Sequence, residues 1–193
     1  MLTNLEKKLK FIELIDEMKN IKRAILLRNW SWESDAEHSY HLAIMVMTFI
    51  DDFPELNYEK CLKLALVHDI VEIYAWDTVI LDKEMMKTKK QREQESLNRL
   101  QEEYAEVLPD FINLINEYEN KSSQEAKFVY SLDKVHPLIQ NVMEWWKSWH
   151  KYKIDVNELK KLNYSKIYPE FWFEKILDIY YDKVEKENIG YKK

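Results

Sequence analysis

Only one of the 193 residues is glycine, Gly190. Turn-rich β architectures place glycine at the positive-φ positions of tight hairpins. One glycine and four prolines therefore argue for helices joined by short loops. Cysteine is equally scarce: Cys61 stands alone, which excludes an internal disulfide. No apolar run is long enough to span a bilayer, and the N-terminal MLTNLEKKLKF has no apolar leader, so a cytoplasmic protein without membrane attachment is expected. A basic excess is missing too. Lys and Arg total 29 against 35 Asp and Glu, a net charge of −6, whereas a general nucleic-acid binder would show a basic face. A small phosphorylated ligand remains compatible, because a metal ion and two arginines make a locally positive site.

What is present is an ordinary globular composition, 46% hydrophobic, in a chain long enough to bury a substantial core. One all-α domain over residues 1–193, with its core at about 10–180, is expected. Helical spacing begins at once with Leu5, Leu9, Ile12, Leu14, Ile15 and Met18, and a second, basic helix is expected through Ile21, Ile25 and Leu26. RNWSWESDAEHS breaks the pattern. Ser34 or Asp35 is then a candidate N-cap for a helix from about Ala36 to Asp52. Asn57 is a candidate cap for the next helix, expected to run to about Ala75. A very polar helix follows with Met85, Leu97, Leu100 and Tyr104 as its sparse apolar stripe. Pro109 opens a short helix, and Ser122 or Ser123 a long one towards Trp149 that Pro137 would kink.

Within the fourth of these helices, LALVHDIVEIYAWDTV sets His68 and Asp69 into an apolar run, with Glu72 one turn on and Asp77 just beyond. Burying an unpaired charge is very costly, so a helix core has no use for such residues unless something compensates them. Neighbouring imidazole and carboxylate groups are ligands for Mn, Fe, Co, Ni or Zn. The HD dipeptide alone is weak: with five histidines and twelve aspartates, about 0.3 copies arise by chance. Two further residues strengthen it. His38 opens the preceding helix in AEHSYH, and Asp133 lies among Val129, Leu132 and Val135 in YSLDKVHPL. The order is H, HD, D, with 29 and 63 residues between.

This pattern resembles the HD-domain superfamily of metal-dependent phosphohydrolases. Arg23, Arg28, the EHS at 37–39, HDxxE at 68–72, Asp77 and EAKFVYSLDK resemble its 5'-deoxynucleotidase branch, over roughly residues 10–180. The resemblance implies an all-α HD-domain bundle and one divalent transition-metal ion held by His38, His68, Asp69 and Asp133. It also implies that Glu72 orients or deprotonates the attacking water, that Asp77 accepts a hydrogen bond from the sugar 3'-hydroxyl, and that Arg23 holds phosphate, with Arg28 a second candidate. The substrate class it implies is (deoxy)nucleoside 5'-monophosphates. The pattern departs at Ala24, where the bacterial prototype has a tryptophan that helps to exclude ribose; Trp30, Trp32 and Trp76 are candidates to replace that bulk.

The chemistry stands without the family. Phosphate-monoester hydrolysis is extremely slow uncatalysed. A metal with open coordination positions, together with an arginine clamp, supplies the electrostatic stabilisation it needs. His41 reads as packing or as support for a ligand, His136 as lying near the pocket mouth, His150 as surface and Lys134 as facing solvent. The aromatic pieces EWWKSW and PEFWFEKILDIYY read as core or as a homodimer surface. Rival functions are an HD hydrolase of nucleoside triphosphates or of alarmone pyrophosphate, and a non-enzymatic metal-binding scaffold. Ile73 stands where alarmone hydrolases of the superfamily carry a second acid, and a purely structural metal would not need Glu72 and Asp77.

Overall fold

The structure is a computed structural model and describes residues 3–78 and 83–187. Helix α1 (Asn4–Ile15) starts in a capping box: Thr3 Oγ1 accepts from the Glu6 N–H, and the Glu6 carboxylate accepts from the Thr3 N–H. A 3-10 turn at Asp16–Lys19 follows.

The next segment is not the basic helix that Ile21, Ile25 and Leu26 led us to expect. It is strand β1 (Lys22–Leu26), paired antiparallel with β2 (Trp32–Ser34). Residues four apart lie on one face of a helix and also on one face of a strand, so this spacing fits both. Two tertiary contacts favour the strand: the β2 pairing, and the Leu26 N–H donating to Ser148 Oγ at 3.0 Å.

Ser34 caps α2 (Asp35–Phe49), again in a capping box, with Glu37. Asn57 caps α3 (Tyr58–Val67) by accepting from the Lys60 N–H. This helix stops short of Ala75. After His68 the bonds tighten from four residues to three, with Ile70 N–H bonding Val67 O and Glu72 N–H bonding Asp69 O, before α4 (Glu72–Ala75) resumes. The tightened turn is the HD dipeptide itself, and it brings Asp69 and Glu72, three apart, onto one side. Trp76 ends α4 at φ 63°, ψ 148°, a conformation costly for a residue with a Cβ, and the chain turns there to reach Asp77.

The polar helix is α5 (Lys83–Tyr104). Pro109 is the first residue of α6 (Pro109–Asn120), and Ser123 caps α7 (Gln124–Met143). Helix α7 does not continue to Trp149. Trp145 and Trp146 take positive φ and separate it from α8 (Lys147–Tyr152), after which come α9 (Val156–Tyr164) and α10 (Glu174–Lys186). With glycine so scarce, tryptophan and lysine fill these left-handed positions.

Helices α2, α3 and α7 pack against one another. A large apolar cluster with Leu42, Leu64, Phe128, Leu132, Phe173 and Tyr181 lies on one side. A smaller one with Phe11, Ile70, Leu100 and Ile115 lies on the other. The aromatic C-terminal stretch is core: Phe171, Phe173 and Tyr181 are buried, as is Trp149. Among the described residues, no helix is long and apolar enough to cross a membrane.

Candidate active site

Four side chains from three helices converge where α2, α3 and α7 meet. His38 stands in the first turns of α2, which the Ser34 capping box holds in place. His68 and Asp69 occupy the tightened turn after α3, and Asp133 projects from α7. His38 Nε2 is 3.2 Å from His68 Nε2, 3.0 Å from Asp133 Oδ1 and 3.7 Å from Asp69 Oδ2. His68 Nε2 is 3.1 Å from Asp69 Oδ2 and 3.9 Å from Asp133 Oδ1. Donors about 2.1 Å from a common ion, at tetrahedral or octahedral angles, lie about 3.0–3.4 Å apart. His38, His68 and Asp69 form a group able to hold a metal ion, and Asp133 Oδ1 adjoins it, close to His38 Nε2 and farther from His68 Nε2.

The orientation of these ligands is also set. His68 Nδ1 lies 2.9 Å from the Ala65 carbonyl; a proton on Nδ1 donates to that oxygen and leaves the Nε2 lone pair facing the other donors. Asp133 Oδ2 accepts from the Tyr118 hydroxyl at 2.8 Å and from Lys134 Nζ, which turns Oδ1 towards the histidines.

His68, Asp69 and Asp133 border a cavity of about 300 Å³, whose wall also includes Arg23, Ala24, Glu72 and Asp77; His38 is buried behind them. The resemblance noted in the sequence is borne out by comparison with known proteins: an HD-domain profile matches residues 15–172. The chain belongs to the HD-domain family. A mouse protein named 5'-deoxynucleotidase HDDC2 is 34% identical over 139 residues, covering 68% of this chain and 67% of its own length. The human protein of that name is also 34% identical, and the match spans 65% of it. The chain thus matches about two thirds of the length of these relatives. A crystal structure from Magnetospirillum magnetotacticum, named as a predicted metal-dependent phosphohydrolase, superposes with a TM-score of 0.78 at 27% identity. That match covers 93% of this chain and 96% of the other.

Within this HD domain the carboxylates form a buried acidic cluster around one guanidinium. Arg23 Nη1 donates to Asp69 Oδ2 at 2.8 Å and lies 3.4 Å from Asp35 Oδ1, while Nε lies 3.4 Å from Glu33 Oε2. Burial and the charge of Asp69 push the Glu72 carboxyl well above its usual range; Lys89, 3.4 Å from Oε1, opposes this, and Oε2 has no protein partner. Burial, with Asp69 nearby, lifts Asp35 to about 8, and burial lifts Glu33 to about 7. Asp133 goes the other way. Burial would raise it, but Lys134 and His38 outweigh that and hold it well below the ordinary carboxylate value. Burial lowers His38 to about 4, which keeps it in the neutral form that ligates metals.

The structure places Arg23, Glu72 and Asp77 on the cavity with His68, Asp69 and Asp133, whereas Arg28 is elsewhere. The Arg28 side chain is 77% exposed and pairs with Glu144 at 3.3 Å, because β1 has ended before it and the chain has turned outwards. Lys134 lines the cavity rather than facing solvent, since the Asp133 carboxylate draws its ammonium inwards. His136 is fully buried behind His38, not at the mouth. Trp30 and Trp76 are largely exposed, and Trp32 packs on Tyr152, so none of the three fills the space beside Ala24; Trp149 supplies the cavity's tryptophan instead.

Two groups were missed in the sequence, and His136 was placed at the mouth instead of behind His38. Tyr118 carries no signal that would single it out. The acids of WESDAEHS, Glu33 and Asp35, could have been suspected from their place immediately before His38. His38 with His41, and Asp133 with His136, are both three apart on helices, a doubling that links the two faces.

Proposed function

We propose that this chain is a metal-dependent 5'-nucleotidase that removes phosphate from (deoxy)nucleoside 5'-monophosphates. The observation that carries the reading is that His68, Asp69 and Asp133 share a cavity wall with Glu72 and Asp77, while the buried His38 adjoins all three donors from behind. The 5'-deoxynucleotidase names of the relatives support it. His38, His68, Asp69 and Asp133 are the ligands of one divalent transition-metal ion, and the neutral imidazole and carboxylate donors suit Mn, Co, Fe, Ni or Zn. Such an ion would supply Lewis-acid polarisation of a phosphoryl oxygen and a lowered pKa for the attacking water.

The chain's own residues do the rest. Glu72, with its free Oε2 and raised affinity for a proton, takes the proton from the attacking water. Arg23 keeps Asp69 oriented through its 2.8 Å bond and presents positive charge to the phosphate. Asp77 accepts a hydrogen bond from the sugar 3'-hydroxyl. Lys89, Lys121, Lys134 and Lys166 line the same cavity and draw a dianion in. The small side chain of Ala24 leaves room beside Arg23, so ribonucleotides are accommodated as well as deoxyribonucleotides. The working unit on this reading is the HD domain, with its core at residues 10–180, acting as a cytoplasmic homodimer. Exposed Tyr40, Ile44 and Met47 form one apolar stripe of α2 that suits such a contact.

Phosphate release from a panel of ribo- and deoxyribonucleoside mono-, di- and triphosphates, with each divalent metal in turn, tests the reading. Turnover of the monophosphates is expected. Turnover of triphosphates alone, or of nothing with any metal, would replace it with one of the rival functions.

A further inference from the structure

His38 does not stand alone behind the metal site. Its Nδ1 lies 3.1 Å from Nδ1 of His136, and His136 Nε2 lies 2.9 Å from Nδ1 of His41. The three rings meet edge to face, His38 on His136 and His136 on His41, each pair with centroids 4.6 Å apart. His38 and His136 are fully buried, and His41 is half-buried.

Each nitrogen-to-nitrogen contact needs one proton, and a neutral imidazole carries only one. Three neutral rings in this chain therefore have two self-consistent arrangements. In one, His38 Nδ1–H donates to His136 Nδ1, and His136 Nε2–H donates to His41 Nδ1. In the other, every proton is reversed, and His38 holds its proton on Nε2. The second arrangement points an N–H at Asp133 and His68 and leaves no lone pair there for a cation.

We propose that His136, held by His41, is a positioning residue for metal binding: as a hydrogen-bond acceptor at Nδ1 it keeps the His38 proton on Nδ1 and frees Nε2 for the ion. The inference rests on the ligand assignment above. It explains why three histidines lie in line in a chain with only five. His68 meets the same need with a backbone carbonyl, whereas a side chain serves His38. Buried partners of this kind are typically worth 10- to 100-fold in metal affinity.

The test uses the zinc-loaded full chain. Long-range proton–nitrogen spectra are expected to show His38 protonated at Nδ1 with a zinc-shifted Nε2, and His136 protonated at Nε2 with a bare Nδ1. His136→Phe keeps a planar ring without an acceptor and is expected to weaken zinc binding 10- to 100-fold. His136→Asn places a carbonyl oxygen near the lost Nδ1 and is expected to recover most of that loss, a rescue that lost packing alone would not produce. If the Phe variant fails to fold, the Asn variant and the parent spectrum still decide. A proton on His136 Nδ1, zinc bound directly to His136, unchanged affinity in the Phe variant, or an Asn variant no better than Phe would each overturn the proposal. Failure of the ligand assignment looks different: the parent protein takes up no zinc, or zinc leaves His38 Nε2 unshifted.

Discussion

At the scale of single residues, the site is built by placing acids where burial raises some and lowers others. Asp69 and Asp133 stay ionised because His68, Arg23, Lys134 and His38 face them, although burial opposes it. Glu72, three residues from Asp69, is driven towards protonation by burial and by its acidic neighbours. The proposed division into metal ligands and a proton carrier rests on groups pushed apart in this way. Glu72→Ala is therefore expected to keep its metal by elemental analysis and to lose 10²- to 10⁴-fold in turnover, the usual worth of a general base. Asp77→Ala should leave metal content intact and raise KM chiefly for substrates with a 3'-hydroxyl. A Glu72→Ala protein that hydrolyses at the parent rate would remove Glu72 from the mechanism.

At the scale of elements, short polar signals position the chemistry. The EHS motif divides its work: Glu37 closes the capping box with Ser34, and His38 is the first inward-facing residue behind it. The acid in that motif is thus a helix-starting device and not a catalyst. Ser34→Ala should cost about 1 kcal/mol of stability in denaturant titration, as other N-cap losses do. Because that cap fixes the turn bearing His38, metal affinity should fall with it. A change in stability with no change in metal affinity would show that α2 is held by its packing on α3 and α7 instead. The caps at Ser34, Asn57 and Ser123 and the proline start of α6 were legible in the sequence because each is a contact within four residues. The β1–β2 hairpin was not, since Ile21 and Ile25 fit either period and the deciding partners, β2 and Ser148, lie elsewhere.

At the scale of the whole molecule, most of the aromatic residues that could have formed a subunit interface prove to be the protomer's own core, although Trp145 stays exposed. Phe53, Phe128, Phe171 and Phe173 pack edge to face, and the α10 tyrosine Tyr181 is buried. The exposed α2 stripe of Tyr40, Ile44 and Met47 is the surface we propose for a second copy. Light scattering at micromolar concentration is expected to give twice the mass of one chain for the parent protein and the mass of one chain for Ile44→Glu. A monomeric parent would end the homodimer proposal.

The sequence by itself determined the candidate donor types, their order and the helical class, because these depend on residue chemistry and on spacing within one turn. It also determined the family, through H, HD and D at long separations. Only the tertiary structure decided which of the other charged groups share the site. It moved Arg28 out and Lys134 in, and it placed Tyr118 and His136 behind the ligands. It also broke α3 at the HD dipeptide. The reason is physical: which nitrogen of His38 carries the proton, and which oxygen of Asp133 is free, depends on partners 95 or more residues away or on another helix.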